Sequence, residues 1–142
     1  MLGSFSGSRS PRVALALAAA IICGTASAGE SKIALSGQEE TPPVTTAAKG
    51  DATISVSKDR KLTGTVTTSG VEGTVAHIHA GGPGEKGPPV VTLTSTAPNV
   101  WSVPSDTVLT EEQYASYLAG KLYINIHSAA NKGGEIRGQI KP

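Results

Sequence analysis

The chain has 142 residues, with 12 basic and 11 acidic side chains, a formal charge of +1 and a single cysteine. This length suits one domain, and so small a net charge argues against nucleic acid or an anionic membrane surface as the partner. One cysteine also excludes a framework of internal disulfides.

The first 28 residues have the organisation of a secretory signal peptide. Two arginines precede an apolar run over residues 13–23, and residues 26–28 read Ala-Ser-Ala, which is a small-residue cleavage pattern. The run is too short to span a bilayer stably. We therefore predict cleavage after Ala28, a periplasmic or secreted location, no membrane span, and one domain over residues 29–142. No cysteine or methionine remains in that domain.

The remaining sequence is rich in Gly, Thr, Ser, Val and Ile, and most of its apolar residues alternate with polar ones. This pattern is typical of an all-β fold, a sandwich or a barrel. A first strand is expected around residues 33–35, followed by a loop at residues 38–44 that contains two prolines. Residues 52–57 and 62–68 form the clearest early hairpin.

One short helix is predicted in the second half of the chain. The segment Thr110–Gln113 reads Thr-Glu-Glu-Gln, which is a capping box with acidic residues in the first turn. Gly120 ends the helix. Its apolar side is formed by Tyr114, Tyr117 and Leu118. Two further strands, around residues 122–127 and 136–140, complete the domain.

The three histidines fall on two of the predicted strands. His77 and His79 lie on the strand face opposite Ile78, and His127 lies opposite the apolar residues of the segment 122–127. Because side chains alternate between the two faces of a strand, an inward Ile78 turns both of its neighbours outward. Three outward imidazoles can share one metal ion if the two strands are neighbours.

A metal site also needs groups that hold the imidazole rings in place. Antiparallel pairing of the last two strands would put Glu135 or Arg137 beside His127, where Glu135 could orient the ring and Arg137 could guide an anion. With no sulfur ligand in the domain, three imidazoles suit Cu(II) or Zn(II). We therefore predict a surface copper or zinc site formed by His77, His79 and His127, with Glu135 and Arg137 around it, and expect a binding protein rather than an enzyme.

The same residues leave a second interpretation open. An H-x-H pair also occurs by chance on exposed strands, in which case the domain binds a protein or a polysaccharide and its histidines are structural. The segment 81–89, rich in glycine and proline, lacks the ending of a phosphate loop and is interpreted as a tight, stiff turn beside the histidines. Glu39 and Glu40 are interpreted as solvated loop carboxylates.

Four segments together resemble a known family. They are LSGQEETPPV (35–44), AHIHAGGPGEKGPPVV (76–91), LAGKLYINIHS (118–128) and GGEIRGQI (133–140). Nearly all of the domain is similar to the CHRD domain, which is repeated in the growth-factor antagonist chordin and occurs singly in microbial secreted proteins. The resemblance implies an immunoglobulin-like or Greek-key β-barrel.

This family has been likened to Cu,Zn superoxide dismutase, whose copper site also uses an H-x-H strand on the outside of a barrel. The likeness implies a third alternative, a copper redox enzyme in which His77, His79 and His127 hold copper and Arg137 resembles the anion-guiding arginine. The chain departs from that enzyme because it has no disulfide pair, no zinc-binding loop and no fourth histidine.

Overall fold

A computed structural model describes residues 29–142, together with residues 1 and 3. Apart from those two positions, the predicted signal peptide lies outside the described residues. Within the described part of the chain, no helix is long and apolar enough to cross a membrane.

The described chain forms nine strands, one α-helix and one short 3-10 turn. The strands are β1 (Glu30–Ser36), β2 (Lys49–Val56), β3 (Leu62–Ser69), β4 (Gly73–Ala80), β5 (Pro89–Thr92), β6 (Thr94–Ala97), β7 (Val100–Ser102), β8 (Leu122–Ser128) and β9 (Ile136–Ile140). The helix α1 spans Glu111–Leu118, and the 3-10 turn spans Gly37–Glu39.

These strands form one antiparallel sheet in the order β5-β4-β8-β9-β1-β2-β3-β7-β6, which curls into a nearly closed barrel. The fold class predicted from the sequence, an all-β barrel or sandwich with one short helix, is confirmed. The early hairpin is the β2–β3 pair, with Ala52 opposite Val66. The sequence did not indicate β6, because its four residues are polar or small and all exposed.

The helix begins at the predicted capping box. The Thr110 hydroxyl accepts a hydrogen bond from the Gln113 backbone N–H at 3.1 Å, and the Gln113 side chain accepts one from the Thr110 N–H at 2.9 Å. Gly120 follows the helix with a φ of +70°, which glycine adopts without strain. Tyr117 is buried, but Leu118 is exposed, so the predicted apolar side is only partly right.

The inner face of the barrel is apolar and closely packed. Ile78, Ile124 and Ile126 have no exposed surface, as the alternation predicted. The tryptophan of β7, Trp101, is also buried in this core. The inward residues of β4 and β8 thereby fix which side chains of these strands point outward.

The outer face of β8 and β9 is buried as well, which the sequence did not predict. Tyr123 and Asn125 are 3% exposed and Arg137 is 2% exposed. The segment 81–88, which we call the covering loop, lies over them and is hydrogen-bonded to this face. The expectation that the outward residues of these strands are solvent-exposed is therefore wrong, because a loop returns over the sheet.

Glycine at position 87 is what lets the covering loop pass so close to the sheet. A side-chain carbon at Gly87 would collide with the carbonyl oxygen of Ala80, the last residue of β4. The neighbouring Pro88 carbonyl accepts a hydrogen bond from the Ala80 N–H at 3.0 Å. The loop is therefore held against the end of the strand that carries His77 and His79.

Candidate metal centre

The pairing of β4 with β8 brings the three histidines together on the outer face of the sheet. His79 lies opposite Tyr123, and His127 lies opposite Val75 at the other end of the pair. One potential ligand nitrogen from each of the three imidazoles lies within 4.8 Å of the other two. His79 is buried and the other two histidines are half-buried, so the site is recessed rather than fully on the surface.

Backbone carbonyls fix the tautomers of two of the rings. His79 Nδ1 is 2.8 Å from the Gly87 carbonyl oxygen, and His127 Nδ1 is 2.7 Å from the Lys132 carbonyl oxygen. A carbonyl oxygen can only accept, so each Nδ1 carries the proton and donates it. In a neutral imidazole this leaves Nε2 with a free lone pair, which is the form that binds a metal ion.

His77 completes the cluster from the middle of β4. Its Nδ1 lies 3.1 Å from His127 Nε2. In the absence of an ion, His77 Nδ1 donates to this nitrogen, because His127 Nε2 has no proton. With metal–nitrogen bonds of about 2.0–2.1 Å, two nitrogens at this separation subtend an angle of about 100° at a shared ion. The spacing therefore suits two ligands of one ion.

Burial favours the neutral, metal-binding form of the imidazoles. The pKa of His77 is lowered from its usual 6.5 by burial, and further by the neighbouring His127 and His79. Burial also lowers the pKa of His79, and the hydrogen bond to Gly87 opposes this only in part. Both rings are thus less easily protonated than a free histidine, so protons compete less with a metal ion.

A stack of three side chains supports the His79 ring. The imidazole lies parallel to the Tyr123 ring, with centroids 4.9 Å apart and an interplanar angle of 4°. The Arg137 guanidinium lies 3.5 Å from the centre of the same ring. His79 belongs to β4 and Arg137 to β9, and these strands flank β8 on opposite sides. The Tyr123 ring therefore lies between the imidazole and the guanidinium. Tyr123 could have been placed on this face from the sequence, because it alternates with Asn125 and His127 along β8.

Arg137 holds the covering loop. Its guanidinium donates hydrogen bonds to the Glu85 carbonyl at 2.7 Å and to the Gly82 carbonyl at 2.8 Å. The adjacent Gln139 side chain donates to the Gly81 carbonyl at 2.8 Å. The strand register puts Arg137 opposite Asn125 rather than beside a histidine. Arg137 is buried on the outward face of β9, because the loop that it binds encloses it.

Glu135 lies close to the site but points elsewhere. Its carboxylate accepts a hydrogen bond from the Thr46 hydroxyl at 2.7 Å. Hydrogen bonds from Ser128, Thr46 and Asn131 lower the pKa of this carboxyl. Within residues 29–142, no hydrogen bond joins Glu135 to a histidine, and the Lys132 carbonyl holds the His127 ring instead.

Two buried polar residues, Asn125 on the outer face of β8 and Glu40 beside it, were not recognised from the sequence. Glu40, interpreted as solvated, is only 6% exposed, and burial raises the pKa of its carboxyl. Nothing local in the loop sequence signals this burial. Asn125 could have been found, because it alternates with Tyr123 and His127 and so lies on the same face as the histidines.

A recessed imidazole cluster on the outer face of an antiparallel β-barrel is the class of site that these residues define. The chain belongs to the CHRD domain family, whose model matches residues 32–140. The comparisons with curated proteins and with solved structures found no match.

Proposed function

We propose that this protein is an exported CHRD-domain protein that binds one Cu(II) or Zn(II) ion through His77, His79 and His127. The observation that carries the proposal is the convergence of three imidazole nitrogens within 4.8 Å of one another. Two of the rings have their tautomers fixed by backbone carbonyls, which is the usual way in which metal-binding histidines are held. Such an arrangement suits storage, delivery or sensing of the ion.

The chemistry of the donors supports a borderline divalent ion. Imidazole nitrogen suits Zn(II) and Cu(II), whereas sites without thiolate or thioether ligands do not favour Cu(I). The two sulfur-containing residues of the chain are Met1 and Cys23, both within the predicted signal peptide. Three protein ligands leave room for at least one more ligand, as in zinc sites that are open to solvent or substrate.

The groups around the ligands also fit this function. The carbonyls of Gly87 and Lys132 take the orienting role that the sequence suggested for Glu135. Arg137 supports the site indirectly, through the Tyr123 ring and the covering loop. This position does not favour the dismutase alternative, because a guanidinium directed at Glu85 and Gly82 is poorly placed to guide an anion.

The proposed location rests on the N-terminal sequence and on the family. The segment before residue 29 has the charge, apolar run and small-residue ending of a signal peptide, and CHRD domains occur in secreted proteins. Detecting the protein in the culture medium or a periplasmic extract, with an N-terminus at residue 29, would test this part of the proposal.

Calorimetric titration of the purified, chelator-stripped protein with Cu(II) and Zn(II) tests the binding function. We expect one ion per chain, and a melting temperature that rises with ion concentration as mass action requires. Losing a support around a metal ligand typically weakens binding about 10–100-fold, so removing a ligand should exceed that range. His77→Ala, His79→Ala and His127→Ala should therefore each weaken binding by more than about 100-fold.

All three histidines of the chain lie in the cluster, so the control must be a different strand residue. Thr67→Ala is suitable, because Thr67 is an exposed residue of β3. This variant should bind as the wild type does. Absence of saturable binding by the wild type would refute the metal-binding function and would favour the alternative of an interaction module for a protein or a polysaccharide.

A further inference from the structure

We infer that the side-chain oxygen of Asn125 is a fourth donor to the ion, so that the site has three imidazole nitrogens and one amide oxygen. This inference rests on the proposed function and specifies it further. It assigns a ligand that lies among the histidines on the same face of the sheet, and it predicts which ions the site prefers.

The strand register places Asn125 at the centre of the cluster. It pairs directly with His77 across the β4–β8 ladder. His127 lies two residues further along the same strand and therefore on the same face. His79 is the diagonal neighbour on β4. Side chains directly opposite on such a pair have Cβ atoms about 4.5–5.5 Å apart, so the amide lies within reach of all three rings.

The surroundings determine which end of the Asn125 amide is the oxygen. Its Nδ2 lies 3.4 Å from the Gly133 carbonyl oxygen. A side-chain carbon on Gly134 would collide with both Asn125 Nδ2 and Glu40 Oε1, so these two atoms face one small space. A carbonyl and a carboxylate both accept hydrogen bonds, so the end that faces them must be the NH₂ group.

The other end of the amide, the oxygen Oδ1, then lies on the side of His79, whose Nε2 is also a hydrogen-bond acceptor. Within residues 29–142, Asn125 Oδ1 and His79 Nε2 are both buried and have no hydrogen-bond partner. Asn125 lies close enough to hydrogen-bond to a protonated His79 ring and thereby opposes the lowering of the His79 pKa, but with a neutral ring the two side chains do not complete a hydrogen bond with each other. They cannot complete one, because the His79 proton is on Nδ1, where it is donated to Gly87. A cation between these two atoms would satisfy both.

Glu40 positions the amide rather than the ion. Among residues 29–142, only the three histidines have ligand atoms that all lie within 4.8 Å of one another, and Glu40 is not one of that group. Its carboxylate lies on the NH₂ side of Asn125, where it favours the orientation that turns the oxygen toward the imidazoles. Attraction of the NH₂ group to a carboxylate also increases the negative charge on the amide oxygen, which strengthens it as a donor.

An amide oxygen as the fourth donor reduces the number of metal ions that the site is expected to bind. Amide oxygen is a hard ligand that suits divalent ions, and it occurs as an axial ligand of copper in some proteins. Together with three imidazoles it disfavours Cu(I), which prefers soft sulfur ligands. The site should therefore bind Cu(II) and Zn(II) and release copper on reduction.

The test combines Asn125 variants with Cu(II) electron paramagnetic resonance and calorimetry on the whole protein. Because Asn125 is proposed as a ligand, Asn125→Ala should lower Cu(II) and Zn(II) affinity by more than about 100-fold, beyond the loss expected for a supporting residue, and should change the Cu(II) spectrum. Asn125→Asp keeps an oxygen toward the imidazoles, and combining it with Glu40→Gln gives the second Asp oxygen a donor in place of a carboxylate. This double variant should restore both the affinity and an oxygen-containing donor set. Asn131→Ala is the matched control, because this asparagine contacts Glu135 instead of a histidine.

A second measurement does not depend on the folding of a variant. In the wild type, Zn(II) should shift the side-chain ¹³Cγ and ¹⁵Nδ2 resonances of Asn125, and those of Asn131 much less. If the wild type binds Cu(II) through the histidines but Asn125→Ala keeps its affinity within about twofold and its spectrum, the inference is overturned while the function stands. A water molecule donating to both orphan atoms would give that result. No ion binding by the wild type would overturn both.

Discussion

The two faces of β8 are both buried, but they are buried in different ways. The inner face presents Leu122, Ile124 and Ile126 to the apolar core, and the outer face presents Tyr123, Asn125 and His127 to polar neighbours. Side chains on the inner face stabilise the fold when their volume and shape fill the core, because dispersion and the hydrophobic effect have no preferred direction. The outer face needs a partner for each polar atom, because a buried group without one is destabilising.

The polar atoms that lack such partners are not scattered. Within the described residues, the three buried side-chain atoms without a hydrogen bond belong to Glu40, His79 and Asn125. His79 and Asn125 lie on the outer face of the sheet, and the Glu40 carboxylate lies beside the NH₂ group of Asn125. The inner face therefore stabilises the barrel, whereas the unpaired buried polar atoms are grouped at one place, around the candidate metal centre.

The largest effect should come from a cavity in the inner face. Ile124→Ala removes a fully buried side chain and should lower the free energy of unfolding by about 2–5 kcal/mol. Ile124→Val should cost about 0.5–1.5 kcal/mol, because most of the volume remains. Urea unfolding monitored by circular dichroism measures both, with Thr67→Ala as the surface control. If Ile124→Ala were as stable as the wild type, packing on the inner face would not be what stabilises the fold.

A smaller loss of stability is expected from a substitution on the outer face, because it removes hydrogen bonds rather than core volume. Arg137→Met keeps a long side chain against Tyr123 but removes the hydrogen bonds to the covering loop, at a cost of about 2–3 kcal/mol. Hydrogen exchange should accelerate at the amides of residues 81–88, and Zn(II) affinity should fall, because the loop carries the Gly87 carbonyl that holds His79.

Lys121→Met is the control for that experiment, because it removes an exposed cation from the loop before β8. It should leave exchange in the covering loop and Zn(II) affinity unchanged. If Arg137→Met also left the exchange of residues 81–88 unchanged, Arg137 would not be the anchor of the loop, and the outer face would be held by other contacts.

The smallest expected effect is the change of stability with pH, which should arise from the histidines of the outer face and not from the apolar inner face. The pKa values of His77 and His79 are lowered in the folded protein, so the unfolded chain binds protons more readily. The stability of the metal-free protein should therefore be complete above about pH 6.5 and should fall as the pH drops toward the lowered pKa values. Thermal melts between pH 4.5 and 8 measure this decline.

The His77→Ala/His79→Ala double variant should lose the part of the pH dependence that these imidazoles cause. Thr67→Ala should retain it. An identical decline in the double variant would assign the pH dependence to other groups, such as the carboxyls. Ile124→Val, which alters only the inner face, should shift the whole curve without changing its slope.

Much of the fold could be predicted because its signals are local. The alternation around Ile78 and along β8 fixed both the strands and the inward faces, and the Thr110 capping box fixed where the helix begins. The same alternation put His77, His79 and His127 on outward faces. Each of these inferences needs only the backbone period of two or of 3.6 residues and the chemistry of a few neighbouring side chains.

The features that could not be predicted depend on contacts between segments that are distant in the sequence. Only the pairing of β4 with β8, which joins residues about 50 positions apart, brings His77 beside His127 and sets Asn125 opposite His77. The covering loop buries Arg137 by returning over a face that alternation alone marks as solvent-exposed. Glu40 is buried by packing against the segment around Gly134. The inward or outward direction of each strand side chain can be read from the sequence, because it follows from the two-residue period of a strand. The neighbours and the burial of that side chain cannot, because they depend on where distant segments of the chain fold back.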